Sequence, residues 1–240
     1  MTDTPAPRHG SRLFTAGMAL LTLLFVALGT WQVQRLFWKL DLIARVEARV
    51  NAPPVPAPAE TDWPGFDAGK EEYRHVTASG RFVNDRETLV QAVTERGGGF
   101  WVVTPLVQAD GTTVLINRGF VPPERRDPET RAQGQLQGYV TVTGLLRLTE
   151  PGGAFLRSND PAGNRWYSRD VAAIAAAKGL QRVAPYFIDA DNSANPGGYP
   201  AGGLTVVHFR NSHLAYIFTW YALAAMTVAI TVVLRRRKLV

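Results

Sequence analysis

The sequence contains no cysteine. Disulfides, thiolate metal sites and cysteine nucleophiles are therefore excluded. The redox compartment stays open, because an oxidising space permits disulfides without requiring them. No phosphate-binding loop is present. Gly97-Gly98-Gly99 precedes an apolar β-type run rather than a helix, so with Arg96 it reads as a hairpin turn. No zincin pair exists: His208 and His213 are five apart across a polar-to-apolar junction, and a shared metal site there is the weaker reading. No Gly-x-Ser-x-Gly elbow occurs, and no internal repeat. An enzyme is poorly supported; a membrane-anchored hydrolase using an outer-domain Ser, Asp or His is the residual alternative.

Charge is missing from two long stretches. Leu13 to Trp31 is nineteen residues without a charge, and Leu214 to Leu234 is twenty-one. Each suits one helical crossing of a bilayer. The first is longer than the core of a secretory signal, although Ala27 and Gly29 stand at a plausible cleavage spacing; we read it as an uncleaved helix. The net charge of +6 collects at the tails. Arg8 and Arg12 against Asp3 give +1, and Arg235, Arg236, Arg237 and Lys238 give +4, leaving +1 for the middle. That is the positive-inside pattern, and it indicates no nucleic-acid surface. Both termini are expected in the cytoplasm, with residues 32–212 outside. The bases after the first run (Arg35, Lys39, Arg45, Arg49) argue weakly the other way, diluted by Asp41 and Glu47. Only twelve residues precede the first run, which does not suit a mitochondrial transit peptide. A bacterial inner membrane with a periplasmic domain is the expected location.

Six segments follow: a cytoplasmic tail (1–12), a first transmembrane helix (13–31), a juxtamembrane helix with a proline-rich linker (32–58), a β-rich domain (59–212), a second transmembrane helix (213–234) and a basic tail (235–240). Strands are expected over Tyr73 to Phe82 with Gly80 as a bulge, Thr88 to Val93, Phe100 to Gln108, Thr112 to Val121, Tyr139 to Leu148, Ala184 to Asp189 and Leu204 to Phe209. Asp110-Gly111 signals a two-residue hairpin. A short alanine-rich helix runs from about Ser168 to Lys178, with Gly179 ending it. The fold class is a membrane protein: two transmembrane helices flanking an antiparallel, partly closed, β-rich (α+β) extracytoplasmic domain.

His213 opens the second apolar run. Tyr216, Trp220 and Ala224 follow at i+3, i+7 and i+11, which puts them with His213 on one helical face. Two readings stand: an interfacial aromatic belt, or a ligand face for a flat cofactor such as haem, whose iron takes imidazole. Of the other three histidines, His9 lies in a polar tail, His75 reads as a satisfied or exposed strand residue, and His208 sits in the last strand. Arg118, Arg74 and Arg210 are candidate partners for carboxylates such as haem propionates, or else ordinary surface arginines.

Four stretches together resemble one family. They are Gly29-Thr-Trp31-Gln32-Val-Gln-Arg35-Leu-Phe-Trp38-Lys39; Tyr73-Arg74-x-Val76 with Gly80-x-Phe82; Val114-Leu-Ile-Asn117-Arg118-Gly119-Phe120-Val121-Pro122; and Asn211-Ser-His213-Leu-Ala-Tyr216 with Thr219-Trp220-Tyr221. The chain resembles the surfeit-locus, or Shy-type, assembly factors of cytochrome c oxidase. Phe120 stands where that family usually has Trp, keeping a ring and losing an N–H donor. The resemblance implies two membrane helices around a non-cytoplasmic domain and no catalysis. It also implies a role in maturing oxidase subunit I, alongside the haem a synthesis machinery, with haem a bound or handed on. His213 matches the histidine the family picture links to haem, with its iron as the metal. The cofactor-contact set is then His213, Tyr216, Trp220, Arg118 and Arg210. A haem-free scaffold for subunit assembly is the alternative.

Overall fold

The computed structural model describes residues 8–154, 156–207, 209 and 211–237. It divides into two compact units, Met1–Arg45 with His208–Val240, and Val46–Val207. Two apolar helices flank a β-rich domain, and each is long and apolar enough to cross a membrane.

Helix α1 runs from Arg8 to Val50 as one element, with no break at Trp31. It stops where Pro53 and Pro54 remove backbone donors, after the Asn51 amide has donated to the Glu47 carbonyl. The domain then follows in order: β1 (Val55–Pro56), α2 (Ala68–Glu71), β2 (His75–Phe82), β3 (Thr88–Thr94), β4 (Gly97–Val107), β5 (Thr113–Val121), β6 (Tyr139–Leu148), β7 (Gly153–Ala154), β8 (Arg157–Ser158), α3 (Val171–Ala177) and β9 (Val183–Ala190). Helix α4 spans His213–Arg236.

The main sheet has the order β1-β2-β6-β9-β5-β4-β3, and β2 also pairs with the end of β4. That extra pairing closes β2, β6, β9, β5 and β4 into a small barrel. Gly80 makes the closure possible. It stays in ordinary register with Val140, so it is not the bulge expected from sequence. A Cβ there would lie 2.3 Å from the Val107 carbonyl oxygen, so only glycine lets β2 pass so close to β4.

The strands are mostly antiparallel, but β5–β9 and β1–β2 are parallel. Strand β9 returns through α3 and lies antiparallel to β6, which forces it parallel to β5. Side-chain parity splits the core. Val114, Ile116, Tyr186 and Ile188 fill the barrel, whereas Leu115 and Phe187 point outward under Trp166, Val171 and Ile174. Strand β5 is consequently buried along its whole length. The Asp110-Gly111 turn lies in the five-residue connection 108–112 between β4 and β5, longer than the two-residue hairpin expected, with Gly111 at φ +81° and its N–H bonded to the Gln108 carbonyl. Asp170 caps α3 by accepting from the Ala173 N–H. The expected strand from Leu204 to Phe209 does not form: residues 204–207 have no ladder partner, and Thr205 is held by its hydroxyl on Asp189 instead. His208 lies outside the described residues.

Candidate cofactor face of the paired helices

Within the first unit, α1 and α4 face each other along a seam with a repeat near 3.5 residues. On α4 the shielded positions include His213, Ile217, Trp220, Ala224, Thr227 and Thr231, with Leu223 and Leu234 beside them; on α1 they include Thr22, Phe25, Gly29, Gln32 and Leu36. Alternating steps of three and four residues are the pattern of interlocking antiparallel helices. A glycine and small polar groups line the seam, as lipid-embedded helix pairs require when apolar surface gains nothing by leaving lipid. The Thr22 and Thr227 hydroxyls meet at 2.8 Å. Tyr221 bonds Thr30 at 3.1 Å, and its ring lies where a Cβ on Gly29 would come within 3.0–3.2 Å. Phe25 stacks on Trp220, with centroids 5.8 Å apart.

His213 sits at the first turn of α4, half-buried, with its ring Nδ1 2.7 Å from Gln32 Oε1. Among the described residues its Nε2 has no hydrogen-bond partner. Trp220 likewise keeps a buried indole N–H without an acceptor among the described residues. Tyr216 does not share their face. It is 51% exposed, and Ile217 takes the seam position. The reason is angular: i+3 and i+4 fall on opposite sides of the axis through His213 and Trp220, and only one can point at α1. Trp220 is engaged with Phe25, so it forms the floor of this end of the seam rather than an open plate.

Sequence reasoning missed two residues here. Gln32, only 9% exposed, is a polar side chain in the last turn of an apolar run, seven residues on from Phe25; that periodicity was the available signal. Arg35 is exposed, with its guanidinium 4.7 Å over the Trp38 ring and 6.0 Å from that of Trp31. Among the described residues it has no carboxylate partner.

Arg118 belongs to the second unit and is 2% exposed. Its Nη2 donates to the Gly134 carbonyl and to Asn195 Oδ1 at 3.2 Å, and the guanidinium stacks 4.5 Å over Phe82. Burial pulls its pKa down to about 10. It thus reaches inward, beside a cavity of about 140 Å³ shared with Thr143 and Ser193, and is no surface arginine. Two neighbours fix it. Asn117 bonds Asp189 at 2.7 Å, and Gly119, at φ +126°, passes so close to Ala201 that a Cβ would sit 2.1 Å from its carbonyl oxygen. The Asn117-Arg118-Gly119 run is therefore a structural corner of the barrel. Arg74 pairs with Glu71, and His75 Nδ1 meets the Ala52 carbonyl at 2.8 Å. Arg210 lies outside the described residues.

The SURF1 family matches residues 19–225, which takes in most of both helices and the whole domain between them. The chain belongs to the SURF1 family. Surfeit locus protein 1 of Rattus norvegicus is 46% identical over 217 residues, covering 83% of this chain and 68% of the rat protein. The human protein of the same name is 43% identical, covering 88% and 73%. A SURF1-like protein of Monosiga brevicollis is 38% identical, covering 97% and 91%. The SURF1 family is known for assembly factors of cytochrome c oxidase, which are not enzymes by name.

The residues at the head of the SURF1 helix pair fit a haem in donor chemistry. One imidazole nitrogen is held and the other is open, exposed aromatic rings stand nearby at Trp31 and Tyr216, and Arg35 offers a cation. The seam itself is closed at Trp220 by Phe25, so the fit is to the rim of the pair and not to a slot deep between the helices.

Proposed function

We propose that this chain is a non-catalytic assembly factor that holds haem a at the head of its helix pair while haem is inserted into subunit I of cytochrome c oxidase. The observation that supports this reading is His213: its Nδ1 is anchored by Gln32, which leaves Nε2 as the nitrogen that would meet the iron. Tyr216, one turn deeper and off the seam, would offer the haem an exposed ring, and Trp220 an indole N–H that has no acceptor among the described residues. Arg35 and Arg210 supply positive charge for propionates in water. The chain would hold the haem through the His213 imidazole, an apolar rim and cations, and the haem would supply an iron that takes imidazole.

The membrane is a bacterial inner membrane, with the β domain periplasmic and both termini cytoplasmic. The support is Arg235, Arg236 and Arg237 closing α4. An active periplasmic reporter fused at the carboxyl end refutes that placement.

The haem reading is tested on protein purified from haem-a-making cells, by haem per protein at matched membrane levels. Wild type retains haem a; His213→Ala and His213→Trp lose it; His213→Met keeps part, since thioether sulfur is also an axial ligand. Equal haem in His213→Trp and wild type leaves His213 as an interfacial anchor and favours the haem-free scaffold.

A further inference from the structure

We propose that Gln32 is the positioning residue of His213: its side-chain carbonyl holds the imidazole in the Nδ1–H tautomer and so leaves the Nε2 lone pair bare and directed. This deepens the haem reading above and rests on it for its purpose, but not for its chemistry, which is a property of the protein alone. Gln32 Oε1 and His213 Nδ1 are 2.7 Å apart. A carbonyl oxygen only accepts, so the ring nitrogen facing it carries the proton. A neutral imidazole has one proton, so Nε2 has none. Metal-bound histidines commonly donate their second ring N–H to an oxygen acceptor in this way, which fixes tautomer and ring angle and raises ligand basicity.

The amide is placed to do this reliably. Gln32 is 9% exposed on the seam. One turn earlier on the same face, Gly29 lets the Tyr221 ring lie against α1, and Thr30 bonds the Tyr221 hydroxyl at 3.1 Å. Two turns earlier, Phe25 stacks on Trp220. These contacts set the height of α4 against α1, and with it the place of His213 opposite Gln32. Flipping the amide would reverse the outcome: its NH2 would donate to a bare Nδ1, the proton would move to Nε2, and the ligand position would be blocked. A leucine of similar size keeps the packing and removes the choice.

The test uses full-length protein with 15N-labelled histidine in lipid nanodiscs, free of haem and above the histidine pKa. The His213 signal is the one missing in His213→Ala. Wild type is expected to show the Nδ1–H pattern. Gln32→Leu is expected to shift to the Nε2–H pattern that free imidazole prefers, and Gln32→Glu, which keeps an oxygen acceptor, to restore Nδ1–H. In protein loaded with haem a, Gln32→Leu is expected to weaken retention about ten- to a hundred-fold, while Gln32→Glu retains haem and shifts its absorption bands. An Nδ1–H signal unchanged in Gln32→Leu overturns the inference whatever the haem result. Wild type without haem but with the tautomer switch intact overturns the haem reading and leaves the role of Gln32 standing.

Discussion

Replacing Asp189 by Asn should destabilise the β domain more than any change to an exposed ion pair. The Asp189 side chain is 2% exposed on β9. Its Oδ1 accepts from Asn117 on β5 at 2.7 Å and from Arg169 at 2.9 Å; its Oδ2 accepts from Arg147 on β6 at 3.1 Å and from Thr205 at 2.9 Å. One carboxylate therefore ties β9 to both neighbours, to the segment before α3 and to the chain returning toward α4. Both arginines are largely shielded, at 17% and 13% side-chain exposure, with rings beneath them at Tyr73 and Phe187. An asparagine leaves one oxygen for four donors and turns an NH2 toward a guanidinium. Removing one partner of a buried pair costs about 3–5 kcal/mol. With a urea slope of about 2 kcal/mol per M, the midpoint falls by roughly 1.5–2.5 M. Pulse proteolysis of the full chain in detergent, following the domain fragment across a urea series, reads this directly. The comparison is Lys70→Ala, whose pair with Asp67 is open to solvent at 80% and 51% exposure. Water screens that pair, so the change should leave the midpoint nearly where it was. Similar midpoints for Asp189→Asn and Lys70→Ala would refute the argument, because they would show water reaching the network.

Gly119→Ala should lower the same midpoint, with about 1–3 kcal/mol from the left-handed backbone alone and more from the contact with Ala201. Acid should weaken the domain through Glu150. Burial pushes this carboxyl up, but the hydrogen bonds and charge of Arg169 outweigh it and hold it below its ordinary 4.5. Its contribution is thus full above 4.5 and is lost as pH falls through the lower folded value; Glu150→Gln should flatten stability against pH over that acid range, measured by urea midpoints. The helix seam is testable because the chain has no cysteine of its own. Thr22→Cys with Thr227→Cys should cross-link within one chain on mild oxidation in membranes, and adding Gly29→Leu should suppress the cross-link by forcing Tyr221 outward.

Much of this fold was legible in the sequence for a physical reason. Alternation over Tyr139 to Leu148 and the glycine after Asp110 act locally, and both stand in the structure, as β6 and as the β4–β5 turn. What was hidden depends on distant chain. Gly80 looks like any strand glycine until β4 arrives 2.3 Å from where its Cβ would be. The direction of β9 follows from where α3 returns it, and alternation carries no direction. Leu204 to Val207 is apolar enough for a strand, but Thr205 meets Asp189 rather than a ladder. On α4, helical spacing put His213, Tyr216 and Trp220 on one face; in the structure His213 and Trp220 share the seam and Tyr216 turns off it, because i+3 and i+4 are equivalent until the partner helix is known. Gln32 carried only a spacing signal, seven residues on from Phe25, because the partner that gives it meaning lies 181 positions away.

The helix pair also explains why this seam carries so many polar groups. In lipid, an apolar helix face gains nothing by meeting another, so association rests on close packing and hydrogen bonds, each worth about 1 kcal/mol. The Thr22–Thr227, Thr30–Tyr221 and Gln32–His213 pairs, with Gly29 between the first and the other two, supply both. Two of the three pair hydroxyl with hydroxyl. The third uses an imidazole, which has a second nitrogen left over, at the one level of the seam where α4 begins. A threonine at position 213 keeps a hydroxyl that can face Gln32 but has no second nitrogen. Comparing His213→Thr with wild type therefore separates the two roles within one residue: pairing of the helices, read by the Thr22–Thr227 cross-link, should survive, while haem retention should not. Loss of both together would mean that the histidine is there to hold the helices.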